Sequence, residues 1–198
     1  MKNLLKKYIK KDDADILHDL RVQARKKISL LSLENKTDKG LENILKKSSK
    51  LRDTDVLKCI CKKKKIIKYL QKKHKKLRKK FLKFLKNFKN EIVEKKFEKQ
   101  ALSLEKCKNL LLDSFLGQND KTLHKIRIEV KKCRYTNPSL EKYLKKIQDN
   151  LGLMHDYYKC EKLMKKFGYN PTKIILKKLK YLNKAEKARK EFIVFLKT

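Results

Sequence analysis

His18-Asp19-Leu20-Arg21-Val22-Gln23-Ala24-Arg25-Lys26 lies inside a longer stretch, Asp13 to Ser32, where Ile16, Leu20, Ala24, Ile28 and Leu31 recur at helical spacing. That period predicts an α-helix with one apolar face. His18, Arg21 and Arg25 stand at i, i+3 and i+7, so they share a second, cationic face. The pattern returns in His124-Lys125-Ile126-Arg127-Ile128-Glu129-Val130-Lys131-Lys132-Cys133-Arg134-Tyr135. Both copies read His-x-x-Arg-(Val/Ile)-x-x-(Arg/Lys)-Lys, and their histidines stand 106 positions apart. Each copy is followed by an acidic motif. The first is Leu51-Arg52-Asp53-Thr54-Asp55-Val56-Leu57, and the second runs from Ile147 through Gln148-Asp149-Asn150-Leu151-Gly152 to Asp156. Asp156 stands 103 positions after Asp53. Two motifs recurring in one order at nearly one offset predict two copies of a single helical unit, one over residues 12–100 and the other over 101–198.

Composition agrees with helix throughout. The chain has 198 residues, with only 4 Gly and 2 Pro, too few turn residues for a sandwich or barrel. Hydrophobic residues make up 40%, enough for a core, and charged residues another 40%, well above the usual quarter. Helices are expected at 13–32, 41–49, 52–69 and 70–97, with a loop over 35–40 and a short basic amphipathic turn over 1–10. Further helices are expected at 102–116, 120–135, 139–151, 155–167 and 172–196. Asp13 and Asn119 or Asp120 are N-cap candidates, and Asn137-Pro138 stops a helix. Leu77, Phe81, Leu85 and Phe88 are assigned to a core. No apolar run approaches the roughly 20 residues that span a bilayer. The start, Met1 to Lys10, has no apolar segment of the signal-peptide kind. The expected location is the cytoplasm.

The formal net charge is +36, from 58 basic and 22 acidic residues. Such an excess repels itself in the folded state and calls for a polyanionic partner, unless it reflects a general lysine bias. A run such as Lys62 to Lys65 is equally well a solvated face. The seven arginines, Arg21, Arg25, Arg52, Arg78, Arg127, Arg134 and Arg189, are more informative, because a guanidinium offers phosphate a planar fork that lysine lacks. Cys59, Cys61, Cys107, Cys133 and Cys160 are odd in number and scattered, with one unmatched Cys-x-Cys, which is not a zinc pattern. They are expected as buried thiols, and neither metal nor cofactor is expected.

These motifs together resemble the CHAD family, the conserved histidine α-helical domain. The resemblance rests on the His18 motif, Arg52-Asp53-Thr54-Asp55-Val56, the His124 to Tyr135 motif, and Gln148-Asp149-x-Leu151-Gly152-x-x-x-Asp156. It covers about residues 12 to 165. It implies an all-α fold of two pseudo-symmetric helical bundles, an internal repeat, around a basic central groove or pore. It also implies binding of inorganic polyphosphate, often at polyphosphate granules. Carried over residue by residue, His18, Arg21, Arg25, Lys26, His124, Arg127, Lys131, Lys132 and Arg134 line the basic surface; Lys50, Arg52 and Arg78 complete the candidate set. The sequence departs from the family where Lys26, Lys131 and Lys132 stand in place of the usual arginines, keeping charge but losing the fork. It departs again where Thr136-Asn137-Pro138 breaks a helix that normally continues, and the chain is short for the family.

Three classes of function follow. The first is non-catalytic polyphosphate binding. The second is binding of other polyanions, as a nucleic-acid or ribosome-associated protein, which the charge supports equally but no recognised motif does. The third is a metal-dependent phosphohydrolase. His18 and His124 sit beside arginines, the carboxylates are not grouped for two metals, and no glycine-rich phosphate loop occurs, so no enzyme is expected. An internal salt-bridge network is the structural alternative for both cationic stripes.

Overall fold

The computed structural model describes residues 1–94 and 104–196. Most of those residues are helical, and the chain divides into two compact units, Met1–Glu98 and Lys99–Thr198. No described helix is long and apolar enough to cross a membrane.

The first unit runs α1 (Lys2–Lys10), α2 (Ala14–Leu33), β1 (Lys36–Asp38), α3 (Lys39–Ile60), α4 (Lys64–Lys86) and β2 (Ile92–Glu94). Asp13 caps α2, its carboxylate accepting from the Asp15 and Ile16 backbone amides. The expected stripe on α2 turns inward, with Leu20 and Ala24 fully buried, Ile16 and Ile28 packed against the core, and Leu17 buried beside them. Tyr8, Leu41, Ile44, Leu51, Phe81 and Leu85 complete this core, with Leu77 and Phe88 packed against it.

Several expectations change here. Residues 41–60 form one helix, not two, and the helix expected over 52–69 is interrupted at 61–63, where α3 ends and α4 begins afresh at Lys64. The serines at the expected break are absorbed by it: Ser48 Oγ donates to the Ile44 carbonyl and Ser49 Oγ to that of Lys46. The expected loop at 35–40 instead holds β1, which pairs antiparallel with β2, Thr37 opposite Val93. Buried Asp38 fastens that corner by accepting from the amides of Leu41 and Glu91. Gly40 is required there, because a Cβ would strike the Lys89 carbonyl. The helix expected to reach residue 97 accordingly ends at Lys86; residues 95–97 and the start of the helix expected at 102 lie outside the described residues.

The second unit runs α5 (Leu104–Asn109), α6 (Asp120–Thr136), a 3-10 turn (Pro138–Leu140), α7 (Glu141–Lys166) and α8 (Thr172–Phe195). Asn119 caps α6 through the Lys121 and Thr122 amides. The core gathers Leu111, Phe115, Leu123, Val130, Leu144, Ile147, Leu151, Met154, Ala185, Ala188 and Phe192. α7 is continuous where two helices were expected. Gly152 in its middle costs about 1 kcal/mol in helix propensity, but Leu151, Met154 and His155 are buried around it.

The helix expected over 102–116 shortens to α5, because side chains of α8 take over the backbone bonds that follow. Arg189 donates to the carbonyls of Leu111 and Leu112, at 2.9 and 2.8 Å, and Glu186 accepts from the Phe115 amide at 2.9 Å. Glu186 and Arg189 are joined by two further hydrogen bonds. Arg189 is therefore an internal lock. The cysteines also depart from the expectation of separate buried thiols. Cys107 of α5 and Cys133 of α6 are joined by a disulfide, the packing of α5 on α6 bringing their Cα atoms to 5.7 Å. Cys59 is an exposed free thiol.

Candidate functional site

In the first unit, α2 and α3 bring together three of the candidate arginines. Arg21 leans from α2 onto α3, and its Nη1 donates to the Leu45 carbonyl at 2.7 Å and to Ser48 Oγ at 2.6 Å. These bonds hold one edge of the guanidinium. Its Nε is buried and makes no hydrogen bond among the described residues. Arg25, one helical period along α2, and Arg52 of α3 both act on it electrostatically. Burial, then Arg25 and after it Arg52, pulls Arg21 down to about 10, while Asp53 pulls the other way. His18 and Lys26 on α2 and Lys50 on α3 are exposed.

Arg78 belongs to a different cluster. Its Nε meets Asp12 at 3.0 Å, and its Nη2 lies 3.4 Å from the Tyr8 carbonyl. Asp12 also meets His74 Nε2 at 3.1 Å, and His74 Nδ1 meets Asp55 at 2.9 Å. Asp55 in turn holds Lys58 at 3.0 Å. Asp53 and Asp55 of the acidic motif cap no helix, because α3 begins at Lys39, and Asp55 faces His74 and Lys58.

In the second unit, α6 carries His124, Arg127, Lys131 and Arg134, all half-buried. α7 supplies their floor. Arg127 lies across Gly152, where a Cβ would stand 3.3 Å from both its Nε and Nη2. A larger residue would lift the guanidinium away. The Nε atoms of Arg127 and Arg134 are buried without a hydrogen-bond partner among the described residues. Arg134 stacks on Tyr135, 4.8 Å from the ring centre. His124 stacks on His155 of α7, with ring centres 4.2 Å apart and planes 17° from parallel. Lys132 is exposed and held by Glu129 at 2.6 Å.

Sequence reasoning missed His155. It lies next to Asp156, inside the acidic motif of the second half, and that motif was the signal that could have found it. The motif's glycine and histidine serve as the surface on which Arg127 and His124 rest.

Each site thus has an arginine pinned along one side by a neighbouring helix, with further cations on the same face. Such an array stabilises an oxyanion that accepts from several guanidinium groups at once. Compared with models of protein families, with curated proteins and with solved structures, the chain matches none.

Proposed function

We propose that this protein binds inorganic polyphosphate without transforming it, through arginine-centred clusters on α2/α3 and on α6/α7. The observation that carries the proposal is Arg21: a half-buried guanidinium fixed by Leu45 and Ser48, whose charge is disfavoured chiefly by burial and then by Arg25, against the opposing pull of Asp53. A phosphate chain lying along that face relieves the penalty. The stacked His124 and His155 and the Arg127 guanidinium on Gly152 present a second group of donors to the same ligand chemistry. The repeated motif predicts two such groups as counterparts, and the resemblance to the CHAD family supports the same ligand. Three arginines, with Asp53 the carboxylate acting on Arg21, are suited to holding an anion rather than activating a nucleophile.

Binding proceeds by displacement of counterions from the phosphate chain. On DNA, a protein making roughly 6–10 phosphate contacts loses about 10³ to 10⁵ in affinity between 50 and 200 mM salt, and comparable salt dependence is expected here. The test is calorimetric titration with polyphosphate at two salt concentrations. It compares the wild type with Arg21→Ala/Arg127→Ala and with Lys62→Ala/Lys64→Ala, exposed lysines outside both clusters. Loss of binding in the arginine pair alone is expected. Equal, small losses in both variants would reduce the interaction to bulk electrostatics and overturn the proposal.

A further inference from the structure

We propose that the outer face of α4 is a second polyanion surface, fitted to the phosphate backbone of a nucleic-acid duplex. It is independent of the arginine clusters and of the polyphosphate reading. Lys65, Lys68, Lys72, Lys75, Lys76, Lys79, Lys83 and Lys86 are all exposed. At 3.6 residues per turn they fall within an arc of about 100° on one side of the helix. The opposite side buries Ile66, Leu70, Phe81 and Leu85, so α4 is held as a rod with its lysines outward.

No acidic residue occurs between Lys64 and Lys86, and among the described residues none of the eight lysines forms an ion pair. Pairs such as Lys68/Lys72, Lys72/Lys76, Lys75/Lys79 and Lys79/Lys83 repel at i, i+4, each at a cost of about 0.2–0.5 kcal/mol. Burial of the apolar side offsets that repulsion, and an anionic partner removes it.

Spacing and stiffness favour a duplex. Lys65 to Lys86 spans about 32 Å at 1.5 Å per residue, which puts one positive charge on about every 4 Å. A DNA duplex carries one negative charge per roughly 1.7 Å of axis around its whole circumference, so the side turned to the row has a charge density of the same order. A straight, fixed row of cations meets a phosphate surface that is already rigid, whereas a flexible chain loses conformational freedom on binding. The row itself contains no aromatic side chain for unpaired bases to stack on. It also contains no arginine to read base edges bidentately, so recognition is of the backbone and independent of sequence. Beside the row lies a cleft of about 1080 Å³, lined by lysines of α4 and by Asp12, Lys58 and Arg78, the last two held by Asp55 and Asp12.

The experiment is fluorescence anisotropy with a labelled 24-base-pair duplex of arbitrary sequence, in DNA and RNA forms, against full-length protein. The variant is Lys72→Gln/Lys76→Gln/Lys79→Gln/Lys83→Gln, and the control is Lys142→Gln/Lys145→Gln/Lys173→Gln/Lys180→Gln, exposed lysines of the second unit. Circular dichroism checks that both fold. Removing four lysine–phosphate pairings should flatten the slope of log K against log salt by about 3.6 and weaken duplex binding on the order of 10²- to 10³-fold near 100 mM salt. The control and Arg21→Ala/Arg127→Ala should bind duplex within a few-fold of wild type. Equal loss in variant and control overturns the proposal, as does wild-type protein that binds single strands as tightly as duplex. A parallel loss of polyphosphate and duplex binding in the α4 variant also overturns it, because the face would then be a general polyanion surface. If polyphosphate fails to bind while the duplex result holds, the arginine-cluster reading falls and this one stands.

Discussion

Replacing Arg21 by methionine separates a ligand-binding arginine from a structural one. Burial and the neighbouring arginines pull Arg21 from its ordinary value down to about 10, a displacement of roughly 3 kcal/mol that disfavours its charged form in the folded protein. Opposing that penalty are the hydrogen bonds from Nη1 to the Leu45 carbonyl and Ser48 Oγ, each worth about 1.5 kcal/mol as bonds from a charged donor. The two contributions nearly cancel. Methionine keeps much of the aliphatic stem, and Ser48 Oγ keeps its bond to the Ile44 carbonyl. The expected change in unfolding free energy without ligand is therefore within about 1 kcal/mol, measured by urea denaturation at neutral pH. The pH dependence follows from the same displacement. The penalty is fully present below pH 10, and it is relieved as pH rises from there toward the ordinary arginine range, because the unfolded arginine binds its proton more tightly than the folded one. Polyphosphate affinity should nevertheless fall by about 1–3 kcal/mol, the worth of one charge-assisted hydrogen bond to phosphate, or roughly 5- to 150-fold. A variant destabilised by about 3 kcal/mol or more, the cost of uncovering a buried partner, with unchanged polyphosphate affinity would refute this reasoning, since Arg21 would then be a strut between α2 and α3.

Two further outcomes test the second unit. Gly152→Ala gains about 1 kcal/mol of helix propensity and presses a methyl group against Arg127 at 3.3 Å; stability should change little while polyphosphate binding weakens several-fold, with a larger loss for Gly152→Val, both read by titration. Glu186 is held at about 2, below its usual 4.5, chiefly by the hydrogen bond from Arg189, so its contribution is complete above pH 4.5 and is lost as pH falls toward 2; Glu186→Gln should cost about 3–5 kcal/mol at pH 7 by leaving Arg189 buried without its counter-ion, and should flatten acid unfolding over that window, followed by circular dichroism.

Much of the helical framework is local and was legible in the sequence. The i, i+3, i+4 recurrence of apolar residues set α2, α6 and α8; Asp13 and Asn119 announced the caps of α2 and α6 within three residues; and Pro138 marked the end of α6. The cationic stripes were legible for the same reason, since residues three and four apart on a helix share a face whatever surrounds them.

What tertiary structure alone decided involves partners far apart in the chain. The continuity of α3 across Ser48 and Ser49 follows from bonds the serines make back into their own helix, which composition at 49–52 does not reveal. The end of α5 at Asn109 is dictated by Glu186 and Arg189, more than 70 positions later, because those side chains satisfy backbone groups that a longer helix would otherwise pair. Asp55 turned from the neighbouring arginine to His74, and Arg78 to Asp12, because α3, α4 and the α1–α2 connection meet at that point. Sequence by itself determined that this chain is helical and where its cations line up. Which of those cations are taken up by internal partners, and which remain on a face open to an anion, was decided by the packing of helices, since only packing fixes the distance between charges remote in sequence.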